Sequence, residues 1–231
     1  MAAFYLLASG VAAQANPDAL YRQRENLASA RQAAEIWAKR AAAGKDFEAS
    51  WKLARASYWL GTHGEENERR AALEQGVKAA EQSITLNDAR PEGHFWQAAN
   101  LGALAEMSGM WTGLRSRGRI KDALERVIKI DPKWQQGSAD RALGWWYHKV
   151  PGLFGGSEEK AEQHLRKALS YNPRSTVTLY FLAEVLLERG RKADALAMLQ
   201  QVLDAPLDPE WTPEDKSFKA TAARRLKELK K

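Results

Sequence analysis

Four times along the chain an apolar residue stands beside a small one within a run of helical spacing: Leu60-Gly61, Leu101-Gly102, Leu143-Gly144 and Leu182-Ala183. Each run is followed by a second amphipathic stretch, in turn EQGVKAAEQSITLND, IKDALERVIKIDP, AEQHLRKALSYNP and ADALAMLQQVLDAP. The pattern predicts four helical hairpins, each made of a helix A and a helix B. In the fourth, taking Leu182 as position 7 puts Ala183 at 8, Gly190 at 15, Ala195 at 20, Leu199 at 24 and Val202 at 27. Small residues at 8 and 20 let paired helices approach closely, and larger apolar ones fill the space around them.

The first three hairpins are longer, and their extra residues fall between A and B: THGEENE in the first, MWTGLRSRGR in the second and KVPGLFGGS in the third. Insertions confined to one edge of such an array are where functional loops are placed. Flanking helices complete the pattern. Asp18 to about Gly44 reads as one long helix with Leu20, Leu27, Ala34 and Trp37 toward one side. At the other end PLDPEWTP breaks the chain. Thr212 then reads as the cap of a terminal helix with Pro213 at its first position. Phe218, Ala222, Leu226 and Leu229 line one side of that helix, as a terminal cap requires.

Composition agrees with an all-α fold, since Ala, Leu, Glu, Lys and Arg dominate and runs of β-branched residues are missing. The chain has no cysteine, which excludes disulfides, thiol catalysis and thiolate zinc sites. Its formal charge of +6 lies wholly in the last sixteen residues, where seven Lys or Arg stand against Glu228 alone. A basic terminal helix over an otherwise balanced chain reads as a solvated cap, not a nucleic-acid surface. The apolar opening MAAFYLLASGVAAQA ends in the small-x-small pattern Ala13-Gln14-Ala15. Residues 1–15 are therefore read as a signal peptide and 16–231 as one helical domain, periplasmic or secreted, or cytoplasmic if Met1–Ala15 is not a signal. No run is long and apolar enough to predict a transmembrane segment.

The spacing of the fourth hairpin resembles the tetratricopeptide repeat, a helix–turn–helix unit of about 34 residues. The fold class is accordingly an all-α, tetratricopeptide-like solenoid of about four hairpins with an extra helix at each end. GHFWQAANLGALAEMSG (Gly93 to Gly109), IKDALERVIKIDP and DRALGWWYHKVPGLFGGSEEKAEQHLRKAL resemble the tetratricopeptide-like T component of TRAP transporters. The same segments are similar to the helical domain of regulator of microtubule dynamics proteins. The first likeness implies an exported partner of an organic-acid uptake system, meeting its substrate-binding protein or a small apolar ligand. Members of that family often carry an N-terminal cysteine anchor, which this chain lacks.

In tetratricopeptide arrays positions 2, 5, 9 and 12 of helix A line the concave groove. Projected onto this chain they give Arg55 and Tyr58, Trp96, then Arg141, Trp145 and His148, then Tyr180 and Glu184. One or two guanidinium groups among aromatic walls suit a carboxylate-bearing peptide or an organic acid. Tryptophans at helical spacing also serve as core, and Tyr147 reads as core. In the KVPGLFGGS insert, Val150-Pro151 is extended, Gly155-Gly156 permits positive φ, and Ser157 caps the next helix. Leu153 and Phe154 either tuck under the array, form the lip of a pocket or contact a partner. GLFGGS lacks the Gly-Lys-Ser/Thr of a phosphate loop, and Glu158 and Glu159 follow it. The four histidines have no metal-binding spacing, and no catalytic constellation or cofactor motif is present. The reading is a non-catalytic binding protein, either the exported transporter component or a general scaffold for a protein or peptide partner. Self-association is left open.

Overall fold

A Cβ added to Gly61 would stand 2.3 Å from Leu73 Cγ, and one added to Gly144 would stand 2.7 Å from Leu165 Cγ. The recurring small residue thus sets how closely A and B pack in the first and third hairpins. The computed structural model describes residues 16–230, with backbone alone at 110–112. The leader expected over Met1–Ala15 lies outside the described residues.

The helices are α1 (Pro17–Arg22), α2 (Leu27–Ala42), α3 (Phe47–His63), α4 (Glu66–Leu86), α5 (Pro91–Met107) and α6 (Met110–Arg115). There follow α7 (Arg117–Ile130), α8 (Ser138–Lys149), α9 (Glu158–Tyr171), α10 (Thr176–Glu188), α11 (Lys192–Asp204) and α12 (Thr212–Leu229). Among the described residues there is no strand, and no helix is long and apolar enough to cross a membrane. The hairpins are α3–α4, α5–α7, α8–α9 and α10–α11, stacked in chain order, with α2 packed on α3 and α12 on α10 and α11. Leu73, Leu124, Val127, Leu143, Leu165, Leu182, Leu199 and Val202 form the buried spine between the helix layers.

Gly102 departs from its counterparts. A Cβ there would meet nothing within 4 Å, because this face of α5 turns toward open space and not toward α7. The close approach in this part of the stack is made at Gly76 of α4, where a Cβ would stand 2.1 Å from Asn100 Oδ1.

The long N-terminal helix expected from Asp18 to Gly44 is two helices. The apolar rhythm continues through the break, but Asn26 accepts from Ala28 N at 3.0 Å and restarts the helix. The indole of Trp59 donates to the Arg24 carbonyl at 2.8 Å, which holds the turn in place. Thr212 likewise does not cap α12 with its side chain. Its hydroxyl donates to Asp208 O at 2.7 Å, while Asp215 Oδ2 accepts from Asp208 N at 2.7 Å.

Candidate binding site

The superhelix turns far enough for its ends to meet. Arg24, only 4 % exposed, donates from Nε to Glu214 Oε1 at 3.1 Å and from Nη2 to the Glu210 carbonyl at 2.9 Å. Lys216 Nζ adds a contact to Glu25 at 3.2 Å. The segment 206–211 and the start of α12 therefore cross to the N-terminal helices. They enclose a central hollow of about 1200 Å³.

Helix A of the second hairpin furnishes the floor. Trp96, Ala99, Ala103 and Glu106 all line the hollow, with Gly102 between them. Tyr58 and Thr62 come from α3, Arg141 and Trp145 from α8, and Val177 and Phe181 from α10. Trp145 and Phe181 stack with centroids 4.1 Å apart at 14°, and Tyr58 lies 5.8 Å from Trp96. Phe218 of α12 meets Phe181 edge-on at 5.8 Å and extends the wall.

Arg141 is the unusual member. No side-chain hydrogen bond or ion pair to it occurs among the described residues, and the part of it that is reachable by solvent faces the hollow. Burial pulls its guanidinium down to about 10, with only Tyr58 opposing that shift. Its helix starts from a strained turn. Gln135 and Gln136 have φ of 42° and 59°, a region that costs a non-glycine residue, and both line the hollow. Gly137 follows at φ 79°, where a Cβ would stand 2.5 Å from the Tyr171 ring.

Of the groove residues expected from sequence, the structure brings together Tyr58, Trp96, Arg141 and Trp145, and places four elsewhere. Arg55 sits against the rings of Tyr21, Trp51 and Trp37, 3.9 Å from Asp18, because α1 and α2 fill the space beside α3. His148 Nδ1 lies 2.9 Å from Glu158 and pins α8 to the start of α9. Tyr180 packs on Phe218, and Glu184 pairs with Arg225 at 3.0 Å, since α12 covers that face of α10. His94 Nε2 lies 3.0 Å from the Asp88 carbonyl, a local bond at the start of α5. Tyr147 is buried.

The KVPGLFGGS insert is a built turn. Gly155 has φ 105°, and a Cβ on Gly156 would stand 1.6 Å from the Val150 carbonyl oxygen. Ser157 caps α9, and its amide donates to Tyr147 O at 2.9 Å. Leu153 is 90 % exposed and is not tucked under the array, whereas the ring of Phe154 lies 5.7 Å from the Arg117 guanidinium. Val150 and Pro151 line the rim of the hollow. Sequence reasoning missed Phe181, Phe218, Trp211 and Arg117 as lining residues. Phe181 lies on helix A of the fourth hairpin but outside positions 2, 5, 9 and 12, and for Phe218, Trp211 and Arg117 the helix-A rule carries no signal, because they come from a terminal segment or an insert.

The model of the regulator of microtubule dynamics protein 1-3 family matches residues 14–154. A tetratricopeptide repeat model matches residues 156–212. No curated protein matches the chain. Among solved structures, a thermophilic tetratricopeptide protein of Thermus thermophilus, TTC0263, is similar at a TM-score of 0.69 and 21 % identity. The match covers 91 % of this chain and 97 % of that one. MamA is similar at a TM-score of 0.52 and 14 % identity, over 86 % of this chain and 95 % of that one. These likenesses establish a tetratricopeptide-like fold.

Proposed function

The chain belongs to the regulator of microtubule dynamics protein 1-3 family, and on that premise we propose that it is a non-catalytic scaffold that holds its partner in the central hollow. Tetratricopeptide folds act as interaction scaffolds, and the shared mechanics of such arrays is a concave face presented by the A helices. The observation that carries the reading is Arg141, a half-buried guanidinium with no counter-charge among the described residues, facing a hollow of about 1200 Å³. A guanidinium drawn partly out of water gains from a counter-charge, and none of the described residues supplies one.

The dye 8-anilinonaphthalene-1-sulfonate, an aromatic monoanion, tests the hollow as a binding site. Its fluorescence is expected to rise with the wild-type protein and to stay low with Gly102→Phe, which places a ring where a Cβ has open space. No rise with folded wild type, or an equal rise with folded Gly102→Phe, overturns the reading. The exported component implied by the likeness to TRAP transporters rests on sequence segments alone, as does an exported location. Sequencing the N-terminus of protein recovered from its own cells tests the latter, with a start near Asn16 expected.

A further inference from the structure

We propose that the ligand of the hollow is an apolar monocarboxylate, its carboxylate seated on Arg141 and its alkyl or aryl body laid against the aromatic wall. This names the ligand class for the binding reading above and rests on it.

The number of charges follows from what surrounds Arg141. Glu106 and Glu214 line the same hollow, and Tyr58 lies within electrostatic reach of both acids and of Arg141. A second negative charge on the ligand would meet Glu106, since Glu214 is paired with Arg24. The other lining cations stand at the rim: Lys149 and Arg174 are exposed, and Arg117 is engaged with the Leu114 carbonyl at 2.7 Å. They favour entry of an anion, and Arg141 holds it.

The head-group follows from the shape of the donor. A guanidinium presents parallel N–H bonds in one plane, which match the two oxygens of a carboxylate. The body follows from the walls. Trp96, Trp145, Phe181 and Phe218 offer ring faces and edges, and Ala99, Gly102 and Ala103 leave room in front of them. An extended peptide would bring one amide donor and one acceptor per residue to the part of the wall made by Trp96, Ala99, Ala103 and Phe181, whose side chains pair none of them, and such burial is costly. An alkyl chain or fused ring carries no such penalty.

Displacement of the bound dye separates the possibilities. Decanoate and 1-naphthylacetate are the alkyl and aryl probes, and 1-decanol and 1-naphthaleneacetamide are their uncharged counterparts. At least one acid is expected to displace the dye at a tenfold or lower concentration than its counterpart, the range for a hydrogen-bonded charge. Arg141→Met is expected to erase that preference, with circular dichroism confirming the fold. Should Arg141→Met not fold, Arg141→Lys, which keeps the charge but loses the fork, is expected to reduce the preference, and unchanged preference overturns the assignment. Equal displacement by acid and neutral probes in the wild type overturns the carboxylate while leaving the hollow as a site. So does dye binding that no probe displaces. A wild type that binds no dye overturns the hollow and the ligand class together.

Discussion

The guanidinium of Arg24 grips the carboxylate of Glu214 across 190 positions of sequence, with Nε 3.1 Å from Oε1. This pair joins the turn before α2 to the first turn of α12 and closes the superhelix. Arg24 is almost fully buried and Glu214 about a quarter exposed. Glu214→Gln strands a buried cation, so it is expected to lower stability by about 2–3 kcal/mol, measured by urea unfolding. Adding Arg24→Met to that variant is expected to recover part of the loss, because the stranded charge is then gone.

Arg141 is expected to behave in the opposite sense. Its guanidinium is half-buried with no partner among the described residues, so Arg141→Met should raise stability by up to about 1 kcal/mol at pH 7 while weakening binding of anions. The pH dependence has a definite sign. The folded-state value is near 10, below the ordinary guanidinium value of the unfolded chain, so between them the unfolded chain holds the extra proton. Stability gained from losing that proton therefore rises with pH through this window. The advantage of Arg141→Met over wild type is expected to shrink above pH 10, as followed by chemical denaturation.

The glycines divide into two groups by their surroundings. Gly156→Ala drives a Cβ into the Val150 carbonyl and is expected to cost about 2–4 kcal/mol or to displace the insert. Gly102→Ala enters open space within a helix and is expected to be stabilising by up to about 1 kcal/mol. Thermal melts of the two variants check the contrast. Leu153→Ser, at a fully solvated tip, is expected to shift stability by no more than about 0.5 kcal/mol.

Tyr21 is pushed up to about 12 by burial, against the pull of Arg55 and Arg24. In an alkaline absorbance titration one tyrosine is expected to ionise about two pH units after the exposed ones. The Tyr21→Phe variant should lack that late step. Because the folded-state value is raised, the stability tied to this phenol is present below pH 10 and is lost as pH climbs through 12.

The repeat was legible because the physics of close helix contact repeats with it. Gly61, Gly144 and Ala183 occupy equivalent places in their hairpins, and the A-helix positions of α5 all reach the hollow. What escaped was the effect of the chain ends. Arg55, Tyr180 and Glu184 lie at groove positions by spacing, yet α1, α2 and α12 pack against those stretches and engage them. Spacing along one helix records which residues share a face, not which distant segment covers it. The break before α2 was written locally in Asn26, but the apolar rhythm of Leu20, Leu27 and Ala34 ran across it. Gly102 looked like a contact glycine by position, and only the neighbouring insert and α4 packing reveal that it faces space.

Open solenoids can lengthen by adding modules, because each end offers a surface to the next. Here the first and last segments bind one another through Arg24 and Glu214, so the number of hairpins is fixed by geometry. Splicing an additional hairpin between α11 and α12 would carry Glu214 away from Arg24 and open the enclosure, even if every module stayed folded.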